Sequence, residues 1–175
     1  MKNHVSKMTF SAMFLAVAFV LPFLTGQIPQ IGSMLCPMHI PVLLCGYICG
    51  APWGLVVGFL APLMRSAIMG MPPMFPTAVC MAFELAVYGF AAGILHQVLP
   101  AKKWSVYLSL VLSMIAGRLV WGLAMFVCVG FDTGKFGLSA FVASAFVNAI
   151  PGIILQLIVI PIIVMVLSKE AKRER

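Results

Sequence analysis

Apolar residues run almost without interruption along this chain, and polar ones gather in short breaks between the runs. From Met8 to Leu24 there is no charged residue, and that length is enough for an α-helix to cross a bilayer. A stretch from Thr25 to Pro37 containing Gly, Pro and Gln separates it from a short run at about 40–49. The third run, at about 52–69, opens on Pro52, which the first helical position tolerates. Gly70-Met-Pro-Pro-Met-Phe-Pro76 then breaks the chain, because consecutive prolines cannot continue a helix. Further runs follow at about 77–98, 104–129 and 138–167. The last contains Pro151 and Pro161, so a kink is expected in it. The pattern predicts an all-α integral membrane protein, with one domain over residues 1–175 and six transmembrane helices. The run at 40–49 is too short to cross without tilt or bilayer thinning, which leaves five spans plus a re-entrant segment as the alternative.

Composition agrees with this pattern. The chain is 63% hydrophobic and 9% charged, with a mean hydropathy of +1.13, which excludes a soluble domain of this size. The formal charge of +7 is not spread as a nucleic-acid footprint. Lys2 and Lys7 precede the first helix, Lys102 and Lys103 lie between the fourth and fifth, and Lys169, Lys172, Arg173 and Arg175 follow the sixth. With six spans these share one side, and the other holds only Lys135, close to Asp132. The positive-inside rule then places both termini in the cytoplasm, with membrane lipid as the surrounding partner and no role for nucleic acid. The basic start and apolar run resemble a signal peptide, but no small-residue cleavage site follows, so the segment reads as a retained first helix. Thirteen Met and thirteen Phe suit a deformable interior. The five cysteines include no CxxC pair and read as small buried packing residues rather than a disulfide framework.

Against this apolar background Arg65, Glu84, Arg118 and Asn148 stand out, each in a different span. Charged groups in hydrocarbon are costly, so by default they mark a functional site. Counted along the helices, Arg65 lies roughly 6 Å from the outer end of its helix, Glu84 roughly 10 Å, Asn148 roughly 15 Å and Arg118 roughly 16 Å. All four fall in the outer half of the bilayer and predict a polar pocket opening outward. Two arginines against one glutamate leave one positive charge in excess, which a bound anion would relieve. The competing reading is an ion-pair network that only fixes helix packing, with Arg65 snorkelling to the interface. Asn148 either binds ligand or satisfies the backbone group freed by Pro151. Trp121, three residues after Arg118, shares its helical face and either stacks on a ligand or fills space. Gln27, Gln30 and His39, in or beside the first loop, complete the candidate binding set as a lid. Cys36, Met38 and His39 are soft or borderline metal ligands, but their spacing fits no standard site, and no metal or other cofactor is expected. No P-loop, HExxH or GxSxG motif is present, and nothing suggests an enzyme.

Small residues recur four apart, as Ala12/Ala16, Gly46/Gly50, Gly54/Gly58 and Gly89/Gly93, a spacing that lets helices approach closely. Together with the layout, Ala12-x-x-x-Ala16 and the stretch MLCPMHIPVLLCGYICGAPWGLVVGFLAPLMRS resemble the S component of an energy-coupling-factor (ECF) transporter, in its vitamin-uptake branch. The resemblance implies a six-helix subunit of the bacterial plasma membrane that captures a vitamin or related micronutrient in an outward pocket. It implies a transmembrane coupling subunit contacting Ala12 and Ala16, and two ATPase subunits that supply the nucleotide site this chain lacks. The excess positive charge favours an anionic, pantothenate-like substrate, although folate and other carboxylated or phosphorylated vitamins suit the charge equally. The alternatives are a stand-alone secondary transporter or channel for a small anion, and a structural assembly factor without ligand. A metal-uptake subunit is a further alternative, because Met38-His39-Ile40 resembles the extreme N-terminus of nickel and cobalt uptake subunits, although here the string is internal.

Overall fold

A helix that is apolar on every side has no face to offer water and is driven inside a larger assembly. His39–Cys49 is such a helix, with every residue but Ile48 buried. Its eleven residues reach only about 16 Å, roughly half the hydrocarbon thickness. The computed structural model describes residues 2–25, 36–100, 103–130, 143 and 149–173, and among these no strand occurs. The helices are α1 (Lys2–Val20), continued by a 3-10 turn at Leu21–Thr25, then α2 (His39–Cys49), α3 (Ala51–Met69), α4 (Val79–Val98), α5 (Lys103–Cys128) and α6 (Ile150–Arg173). Helix α2 packs against α1, α3, α4 and α6. A hydrogen bond 2.8 Å long between the Tyr47 hydroxyl and Ser109 Oγ ties it to α5 as well. The short helix is therefore the axis around which the others are arranged.

Among the described residues, four segments are long and apolar enough to cross a membrane: His4–Phe23, Ala51–Met69, Met74–Val98 and Trp104–Cys128. His39–Cys49 and Ile150–Val166 are apolar but shorter. Much of the outward surface along the helices is apolar. Val17 and Val20 on α1, Phe59 and Ile68 on α3, Phe90 on α4, Leu119 and Leu123 on α5, and Ile158 and Ile162 on α6 are all exposed. Exposed apolar surface on this scale has no place in water and suits a lipid solvent, in which helices satisfy their own backbone groups.

The joints follow from glycine and proline. Gly50 (φ +100°) ends α2 and Gly70 (φ +69°) ends α3, both in conformations costly for a side-chain-bearing residue. Pro52 stands at the start of α3 as expected. The break at 70–78 is irregular and is tied back to α3 by Ser66 Oγ, which donates to the Pro72 carbonyl at 2.6 Å. Pro151 departs from expectation. It is the second residue of α6, where its missing N–H costs nothing, and so does not kink the helix interior. Pro161 does lie inside α6.

Close backbone contact holds α2, α3 and α4 together. A Cβ added at Gly46 or Gly54 would run into the Gly89 carbonyl, one at Gly58 into the Leu85 carbonyl, and one at Gly93 into the Ala51 backbone. The four-residue glycine spacings thus serve internal packing, the usual means of helix association in lipid. We expect Gly89→Ala to lower the melting temperature of the purified protein by several degrees, since overpacking such a site costs about 1–3 kcal/mol. Phe90→Ala, one residue away on the exposed face, should leave it nearly unchanged.

Candidate functional site

The first turn of α2, the N-terminal half of α4 and the middle of α5 converge on one buried polar group. Arg118 Nη1 on α5 lies 3.0 Å from Glu84 Oε1 on α4. His39 Nε2, at the start of α2, lies 3.5 Å from the same oxygen. Arg118 Nη2 donates to Cys36 Sγ at 3.6 Å. Cys36 holds a positive φ of 47°, an unfavourable conformation for a non-glycine residue. The Tyr88 ring stands edge-on to the His39 ring, with centroids 5.1 Å apart. Gly117 makes room for that tyrosine, because a Cβ there would press on its ring and on the Glu84 carbonyl. Glu84, His39 and Tyr88 are almost wholly buried, and Arg118 nearly so.

Buried polar atoms are nearly always hydrogen-bonded, so exceptions are informative. Six buried side-chain atoms lack a partner among the described residues, and five of them are in this group: His39 Nδ1 and Nε2, Glu84 Oε1, Tyr88 Oη and Arg118 Nε. The sixth is Gln156 Oε1 on α6. The close approach of Glu84 Oε1 to Arg118 is thus a charge contact without hydrogen-bond alignment. Glutamate and arginine balance one another, and around them lie donors and acceptors without a hydrogen-bond partner among the described residues. Beside the group, between α4, α5 and α6, is a cavity of about 240 Å³. Tyr88 and Arg118 form one wall, and Val111, Met114, Ile115, Ile153 and Leu157 supply the apolar remainder. An apolar hollow with a few convergent polar groups is the usual form of a small-molecule site.

Of the residues singled out in the sequence, the structure brings together Glu84, Arg118 and His39. It takes Arg65 elsewhere. Arg65 Nη1 donates to the Phe19 carbonyl at 3.1 Å, and the guanidinium stands 5.6 Å from the Phe23 ring centroid. The carbonyls at the end of α1 are the negative end of its dipole, which makes them a natural seat for a cation. Arg65 is also buried, so it does not snorkel. The expectation of two arginines facing one glutamate is corrected accordingly, because the second arginine is bound to α1. Trp121 is half-buried on α5. Asn148, Gln27 and Gln30 lie outside the described residues. Among those described, no three His, Cys, Asp or Glu side chains converge as a metal-ligand set. Tyr88 was not anticipated from the sequence, although it stands four residues after Glu84 and therefore on the same helical face. Ala12 and Ala16 are exposed on α1.

A bundle of apolar helices around a buried polar group, with an apolar hollow beside it, is the build of a membrane protein. The family model described as ECF transporter, substrate-specific component, matches residues 6–164, and the chain belongs to that family. It is a multi-pass membrane protein and the substrate-binding component of an ECF importer, a transport subunit that works with coupling and ATPase subunits. No curated protein and no solved structure matches the chain.

The Glu84–Arg118 pair generates a stability prediction. Removing one partner strands a buried charge at a cost of about 3–5 kcal/mol, whereas removing both does not. Glu84→Gln and Arg118→Gln should each lower the melting temperature, and the double variant should recover most of the loss. Additive losses in that thermodynamic cycle would mean that the pair is not coupled.

Proposed function

We propose that the chain captures a vitamin or related micronutrient from the outer side of the bacterial plasma membrane, with its N- and C-termini in the cytoplasm, and that the ligand binds at His39, Glu84, Tyr88 and Arg118. The observation that carries this reading is the concentration of unpartnered buried polar atoms beside an apolar cavity. Each of those atoms forgoes a hydrogen bond, and a ligand with complementary groups restores it.

The same atoms describe the ligand. Arg118 Nε and the Tyr88 hydroxyl offer donors to a carboxylate or carbonyl. Glu84 and one ring nitrogen of His39 accept from a hydroxyl or amide. The apolar wall takes a short hydrocarbon body. An anionic, pantothenate-like molecule has all three features. Its carboxylate would compete with Glu84 for Arg118, and His39 would then be the cation-capable group next to Glu84. Trp121 and Asn148 are proposed to add stacking and hydrogen bonds, with Gln27 and Gln30 in the covering loop. Arg65 is proposed to reach the ligand only through the end of α1. The exposed Ala12/Ala16 face is proposed as the seat of the coupling subunit, which with two ATPases would drive uptake.

Mass spectrometry of the small molecule that co-purifies with the protein tests the ligand class, and a compound without an acidic group would count against the anionic reading. Arg118→Ala should abolish high-affinity uptake by cells while membrane expression persists, and unchanged uptake would remove Arg118 from the site. Enlarging Ala12 or Ala16 to Trp should sever co-purification with the coupling subunit without reducing ligand binding. Transport by the isolated chain in liposomes would instead indicate a stand-alone carrier.

A further inference from the structure

Cys80 and Cys128 are 48 residues apart in sequence, yet the structure brings their sulfurs to 3.6 Å. Neither is bonded to the other or to another cysteine in the structure. Cys80 is the second residue of α4 and fully buried, and Cys128 is the last residue of α5 and half-buried. Sulfur atoms at this separation are in van der Waals contact, and bond formation asks for a further approach of about 1.5 Å. Cys128 stands at the end of α5, where the backbone adjusts most readily. No role in ligand binding uses either of them.

We propose that Cys80 and Cys128 form a redox-active dithiol that closes to an interhelical disulfide and staples the α4–α5 seam. The oxidant is a low-molecular-weight disulfide. The more accessible Cys128, as its thiolate, attacks one sulfur of that disulfide, breaks its S–S bond and releases one thiol. Cys80, as its thiolate, then attacks the Cys128 sulfur of the mixed disulfide and releases the second thiol. Two protein thiols are oxidised, one small disulfide is reduced to two thiols, and the protons of Cys80 and Cys128 end on the released thiolates. In sequence Lys102 and Lys103 stand at the start of the run that forms α5, opposite to Cys128, and by the positive-inside rule they mark the cytoplasmic side. The dithiol end then faces the compartment in which protein disulfides persist. Cys80 lies one turn before Glu84 on α4, and Arg118 lies on α5, so the staple would fix the two helices that carry the buried ion pair.

The test is to treat the purified full chain with oxidised glutathione and map its peptides without reduction. The expected product is a Cys80–Cys128 crosslink with the intact mass lower by two hydrogens, reversed by dithiothreitol. Cys80→Ser should stop at a single glutathione adduct on Cys128, and Cys128→Ser should give no crosslink. The crosslinked protein should melt about 5 °C higher than the reduced one, because the bond closes a long loop. A Cys128 adduct without crosslink in the unaltered protein, or no reaction at either thiol, overturns the proposal. A crosslink that leaves the melting temperature unchanged overturns the stapling.

Discussion

In lipid, helices gain nothing by hiding apolar surface from one another, so their association rests on how closely their backbones can approach. At the centre of this protein that approach is made by Gly46, Gly54, Gly58, Gly89 and Gly93, where α2, α3 and α4 touch with no side chain between them. The contact does more than hold three helices. It fixes the rotation of α4, so that the face bearing Gly89 and Gly93 meets α2 and α3. Glu84 and Tyr88 are then carried toward the first turn of α2 and the flank of α5. The His39–Glu84–Arg118 geometry depends on this setting of the glycines.

On that scaffold the protein keeps a group of polar atoms that a purely structural core would not retain. An ion pair in a low-dielectric interior returns its desolvation cost only when the surrounding hydrogen bonds are complete. Among the described residues they are incomplete at His39, Glu84, Tyr88 and Arg118, all within one small region. Arg65 shows the opposite design. It is equally buried, but it has a carbonyl and an aromatic ring as partners, and these join α3 to the end of α1. One arginine is therefore tied to a neighbouring helix end, and the other stands in the buried polar group proposed to meet the ligand. That division fits a subunit that must hold its helices firmly and still leave a hollow for a passenger.

Much of this was readable along the chain. Helices α2, α3 and α4 begin and end close to where the apolar runs do, because Gly50, Gly70 and the prolines around residue 73 punctuate backbone conformation locally, whereas the last run, expected from 138, is described as helix only over Ile150–Arg173. Glu84 and Arg118 were conspicuous because charge in an apolar span is costly wherever that span packs. The shortness of the run at 40–49 was plain in the sequence, but the burial of nearly all of α2 appears only in the packed structure.

Partnership was not readable. Whether Arg65 met Glu84 or the end of α1 depended on which helix lay beside α3, and no local property of the sequence encodes that. Tyr88 became part of the site only once α5 was set against α4 with Gly117 beneath its ring. Cys80 and Cys128 likewise met only across the α4–α5 seam. Hydrophobicity and backbone restriction act within a few residues and so are written in order along the chain. The sequence by itself determined the helices, the membrane setting and the cost of its internal charges. Which atoms meet is decided by contacts between residues tens of positions apart, and only the packed tertiary structure determined them.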